Sequence, residues 1–241
     1  MVKKRISRNK GMSLVELIIA VGIMAILSAA IAPAVIRYID KSRKARDVEV
    51  AQTIVDAAQL AMTTSEDDAY YGWTVCVDYY GTDYPARVLA NDDGTPVSFS
   101  SAKTCNSNQY FIRPVAWARG VDYKGWENSL FKSTLDGGGK GDKQRAYTDE
   151  FLWALSQEMA QGGADKVNRN YDGESDVNMS IKYNKKLKAR MGGYSGKMVS
   201  PELWLLYRRD DNGQPEVWTG YKKGNVTPLY RVYPSPSKEY K

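Results

Sequence analysis

The sequence predicts an α+β protein: a long N-terminal helix that spans a membrane, continues as an amphipathic rod and packs against an antiparallel β-sheet head. Three observations carry that prediction. Residues 17–36 are a run of about 20 residues whose only polar member is Ser28, long enough as a helix to cross a hydrocarbon core of ~30 Å. Helical periodicity continues beyond the run to residue 62. Past that point, short segments rich in aromatic and β-branched residues alternate with turn chemistry. The 241-residue chain thus divides into a leader at 1–11, a helix at 12–62 (apolar to 36, amphipathic from 37) and a head at 63–241.

The leader carries Lys3, Lys4, Arg5, Arg8 and Lys10 and no acid. A secretory signal peptide also joins a basic start to an apolar stretch, but its stretch is only ~7–15 residues and precedes the cut. Here any cut precedes the apolar run. Glu16 then stands at the threshold of that run, where a carboxylate is costly unless solvated, neutralised or paired. At a helix N-terminus it is favourable by roughly 0.3–1 kcal/mol, and a free amine on Met12 would lie one turn away. Pro33 removes a helical hydrogen bond and crowds the Ala29 carbonyl, so a kink or stretched turn is expected near 29–33, or else a membrane exit.

From residue 37 the helix becomes two-faced. Val48, Ala51, Val55, Ala58 and Met62 recur at helical spacing, with Glu49, Gln52, Asp56 and Gln59 mostly on another face. Asp40 with Lys44 and Arg43 with Asp47 have i,i+4 spacing that supports a rod by a few tenths of a kcal/mol each. In the head, residues 73–80, 109–118, 202–209, 215–222 and 228–233 read as strands. Asp210, Asp211, Asn212 and Gly213 are turn chemistry, which makes the last three strands an antiparallel meander. A second helix is expected at 149–161, with Thr148 as N-cap and Gly162 as its stop. Residues 135–143 and 161–175 are glycine-rich, polar loops.

Gly11, Met12, Glu16 and the apolar helix after them resemble the type IV prepilin signature, the class III signal peptide, over about a quarter of the chain. The resemblance implies that a prepilin peptidase cuts between Gly11 and Met12 on the cytoplasmic side and methylates the new Met12 amine. Glu16 then becomes the fifth mature residue, a glutamate in filament-building members, and Pro33 falls where that family commonly has a helix-loosening proline. Met12 stands where phenylalanine is commonest, and Ala25 where glycine is frequent. The implied partners are the peptidase, the cytoplasmic membrane, an assembly platform and other copies of the chain in a helical filament. The implied destination is an extracellular pilus on the bacterial surface. A pseudopilin of a secretion or DNA-uptake machine shares the same signature, and a membrane-anchored binding module that never polymerises is the competitor from another class.

Charge and composition narrow the remaining possibilities. The formal net charge is +6, and removal of five leader cations leaves +1, so the basic balance is no evidence for nucleic acid as a partner. Lys182, Lys185, Lys186, Lys188 and Arg190 form one basic run, read as a solvated strand edge. Cys76 and Cys105 are compatible with one disulfide in an oxidising compartment; closing about 30 residues, it would contribute roughly 3–4 kcal/mol. Two free thiols are the alternative. Abundant aromatic residues could stack on glycans, but a small sheet needs the same residues for its core. Asp172, Glu174 and Asp176 could supply oxygen ligands for calcium, yet their spacing is not the EF-hand loop and no metal is assigned. There is no histidine, which excludes Ser-His-Asp and Cys-His catalysis, and no phosphate-binding glycine loop occurs. The expectation is a structural protein without cofactor or enzymatic activity.

Overall fold

This computed structural model describes residues 12–64, 88–97, 105–120, 131–133, 142–160, 177–183, 189–190, 198–210, 212–223 and 225–241. It resolves into two compact units, Met1–Ser42 and Arg43–Lys241. One helix, α1 (Leu14–Thr64), contributes to both. It runs uninterrupted through Pro33, so the expected disturbance near 29–33 does not break it.

The second unit is built on an antiparallel sheet. Its strands are β1 (Val88–Asn91), β2 (Gln109–Arg119), β3 (Lys132–Ser133), β6 (Leu203–Arg209), β7 (Pro215–Lys223) and β8 (Asn225–Tyr233), in the order β1-β2-β6-β7-β8 with β3 on β2. Two short strands, β4 (Ala189–Arg190) and β5 (Met198–Val199), pair separately. The expected meander is present as β6-β7-β8. Its first turn closes through Gly213, at φ 71°, whose N–H donates to the Arg209 carbonyl at 3.0 Å. A left-handed backbone there favours glycine, because other residues meet their own Cβ. Prolines sit where the ladder tolerates them: Pro114 at a register shift in β2, and Pro228 in β8, the last strand of the order.

Both faces of the sheet are covered. Along β6, Trp204 and Leu206 join the core with α1, while Leu203, Leu205 and Tyr207 join a second cluster with Tyr110, Ile112, Trp117 and Trp218. That explains why this strand reads as a nearly continuous apolar run instead of a clean alternation. On the first face, Val50, Ala51, Ile54, Val55, Ala57, Ala58 and Ala61 of α1 are buried, and Glu49, Gln52, Asp56 and Gln59 are exposed. These residues share one core cluster with Phe151, Leu152 and Leu155 of a second helix, α2 (Asp142–Met159).

Helix α2 corrects one expectation. It begins at Asp142, seven residues before the expected start, so Thr148 lies within it and is not its N-cap. Residues 142–146 are an acid followed by good helix formers, and an acid is favoured in a first turn. Apolar periodicity begins only later, which is why it placed the start too late. It also removes residues 142–143 from the loop expected at 135–143. Gly162, the strand expected at 73–80 and the loop at 161–175 lie outside the described residues.

A network of polar contacts ties this unit together at its second apolar cluster. Glu216 is buried and its Oε2 accepts the Tyr110 hydroxyl and the Trp218 indole N–H, both at 3.0 Å. Arg231 approaches the other carboxylate oxygen at 3.5 Å and donates to the Tyr110 hydroxyl. Burial pushes the Glu216 carboxyl above its ordinary value, against the pull of Arg231 and the two donors. The same arginine donates to the Asp92 carbonyl at 2.6 Å, and its backbone N–H to that of Gly94 at 2.9 Å. The turn after β1 is thereby fastened to β8, although the two strands stand at opposite ends of the sheet order.

Candidate assembly site

The apolar segment of α1 starts with a local hydrogen-bonding device. Ser13 precedes the helix, and its carbonyl accepts the Leu17 N–H at 3.1 Å. Its hydroxyl accepts the Val15 N–H at 3.3 Å, while Glu16 Oε2 reaches back to accept the Ser13 N–H at 2.8 Å. This is a capping box, in which serine and a glutamate three residues on satisfy donors that the helix itself leaves unpaired. The Ser-x-x-Glu spacing at 13–16 is its sequence signal, and the reading of Glu16 as a charge in search of a partner overlooked it. Glu16 also lies in the first turn, where the helix dipole favours an anion.

From there the helix presents apolar side chains with no cover. Ile18, Ile19, Val21, Ile23, Met24, Ile26, Leu27 and Ile31 are all exposed by more than half, and the helix is long and apolar enough here to cross a membrane. A fully apolar helix without a partner requires lipid or other apolar helices around it, since burying each such side chain is worth about 1.5–3 kcal/mol. Met12, exposed by 70 %, precedes Ser13, the residue whose N–H Glu16 holds. The structure therefore brings Met12, Ser13 and Glu16 together in sequence and in space. Pro33 sits apart from them, about 20 residues down the helix, and is exposed.

The other candidate residues do not join this site. Gly11, Cys76, Asp172, Glu174 and Asp176 lie outside the described residues, so the cleavage bond, the disulfide and the calcium loop are expectations only. Cys105 is exposed. Of the basic run, Lys182 is exposed and Arg190 lies in β4, while Lys185, Lys186 and Lys188 are outside the described residues. Trp117, Trp204, Trp218, Tyr110, Tyr207 and Tyr240 are all buried, and the aromatic richness of the described head fills cores. Asp47, expected to pair with Arg43 along the helix, is wholly buried and accepts backbone N–H groups of Lys182 and Tyr183. Nothing local in the sequence marks it.

Residues 6–32 match the prokaryotic N-terminal methylation motif. The match contains Gly11, Met12, Ser13 and Glu16 and most of the uncovered apolar helix. Neither the curated proteins nor the solved structures include a match to the chain.

Proposed function

We propose that this type IV pilin-like chain is the structural subunit of a type IV pilus. The observation that carries the reading is the coincidence of the methylation motif with a long, wholly uncovered apolar helix whose first turn is organised around Glu16. A prepilin peptidase cleaves the precursor after Gly11 on the cytoplasmic side and methylates Met12. The helix holds the protein in the cytoplasmic membrane until an assembly platform transfers it to the filament.

Polymerisation is heterologous: the apolar segment of one copy buries against those of its neighbours, and the repeated contact generates an open helical filament on the cell surface. Glu16 pairs with the Met12 amine of a neighbouring copy, a charge contact strengthened where water is scarce. The intrachain bond to Ser13 holds the carboxylate at the right depth beforehand. The chain acts by assembly, with no catalytic step and no cofactor.

Intact mass and N-terminal peptide mass spectrometry of protein sheared from native cells tests the proposal. A chain beginning at N-methylated Met12 in high-molecular-weight sheared material is expected. The same processed chain confined to the membrane fraction would instead make it a pseudopilin, and residues retained before Gly11 would make it an ordinary membrane anchor.

A further inference from the structure

Residues 177–183 form neither helix nor strand, yet they are fastened at both sides. On the sheet side, the Trp204 indole N–H donates to the Met179 carbonyl and the Ile181 N–H to the Gly120 carbonyl, each at 2.6 Å. Ile181, 3 % exposed, fills the space over Gly120, where an added Cβ would lie 2.3 Å from Ile181 Cδ1. On the helix side, the next two N–H groups both point at one carboxylate: Lys182 donates to Asp47 Oδ1 at 2.7 Å and Tyr183 to Oδ2 at 3.0 Å.

The C-terminal residues close over the same place. Tyr240 is buried and meets the Tyr183 ring edge-on at 6.3 Å. Lys44, one turn before Asp47 on α1, lies 5.0 Å over the Tyr183 ring and donates to the Lys241 carbonyl at 2.9 Å. We propose that residues 177–183 are an acid-tightened strap between the sheet and the amphipathic part of α1, with Asp47 as its titrating clasp.

The sign follows from the surroundings of the clasp. Burial pushes the Asp47 carboxyl up from 3.8 to about 6, against the two backbone N–H bonds and the Lys182 charge that pull it down. Around it lie Lys182 and Tyr183 of the strap, Lys44 one turn before it on α1, and Tyr240, beyond which are Tyr230 and Glu239. Burial holds Tyr240 and Tyr230 above the usual tyrosine range, and both stay neutral in mild acid. With the strap lifted, Asp47 regains water and its ordinary value. The closed form therefore binds the proton more tightly. Its advantage is complete below the ordinary value of 3.8 and is lost as pH rises through about 6. Between pH 7 and pH 5 the closed form gains about tenfold over the open one by this linkage.

Hydrogen exchange of the full-length chain in detergent micelles, corrected for the intrinsic pH dependence of exchange, reads the strap directly. Protection of the Lys182 and Tyr183 amides is expected to be about tenfold greater at pH 5 than at pH 7. Asp47→Asn should abolish the difference at the strap. Equal protection at the two pH values, or a difference that survives Asp47→Asn, overturns the proposal. Should Asp47→Asn fail to fold, a carbon-13 titration of the wild-type Asp47 carboxyl must show a midpoint near 6; a midpoint in the ordinary carboxylate range overturns it equally.

Discussion

Among the described residues Glu16 holds the Ser13 N–H of its own chain, and it is assigned a second contact between chains; two substitutions separate them. The intrachain contact is the 2.8 Å bond from the Ser13 N–H, a cap worth about 1 kcal/mol. The interchain contact is a carboxylate on an amine, worth up to about 4 kcal/mol at 4 Å in surroundings of intermediate polarity. Glu16→Gln keeps a carbonyl oxygen that can accept the Ser13 N–H and removes the charge. Glu16→Ala removes both. If the charge pair drives assembly, both variants lose roughly 100-fold or more in the equilibrium constant for adding a subunit, with Ala worse than Gln by only the cap, about fivefold. If the cap is the whole contribution, Gln assembles like wild type. The assay is the yield of sheared filaments from cells with matched amounts of membrane-held protein, alongside the mass of the mature N-terminus. Processing at Met12 should be unchanged in both variants. A wild-type filament yield from Glu16→Gln would refute the charge pairing.

The head supports further tests. Glu216→Ala leaves Arg231, whose side chain is 5 % exposed, beside an empty carboxylate site and should destabilise the head by about 3–5 kcal/mol in denaturant unfolding. Combining it with Arg231→Met should recover much of that loss. Gly120→Ala places a methyl group 2.3 Å from Ile181 and should cost about 1–3 kcal/mol, relieved by Ile181→Val or Ile181→Ala in a double-mutant cycle. Ile54→Ala in the helix–sheet core should cost about 2–5 kcal/mol by the same assay, with no effect on cleavage at Met12. Asp47 is raised to about 6 and Glu216 is also raised, so the head should melt at a higher temperature at pH 5 than at pH 7. Asp47→Asn should flatten that dependence.

The local patterns were legible where one periodic face decides the element. Val48, Ala51, Val55, Ala58 and Met62 all turn inward on α1, and 109–118, 202–209 and 215–222 fall within one residue of β2, β6 and β7. The strand expected at 228–233 starts at Asn225, because three polar or β-branched residues before Pro228 pair with β7. The early start of α2 was missed because its first two turns lack the apolar repeat, and four-residue β1 and two-residue β3, β4 and β5 are too short to show one. At the assembly site, Met12 and Glu16 were legible from type and spacing. The capping role of Ser13 was written in the same five residues and went unread.

By itself the sequence determined the N-terminal device: a cationic leader, a glycine, a methionine, a glutamate and an apolar helix, in which the contacts of Ser13 and Glu16 lie within about one turn and so depend only on spacing along the chain. Tertiary structure decided the partners of the buried charges. Asp47 and Lys182 are 135 residues apart, and Tyr110 and Glu216 106. A carboxylate that looks like a solvated helix residue becomes a clasp, and one in a strand becomes the centre of a buried network, only when folding removes water and leaves particular distant donors to replace it.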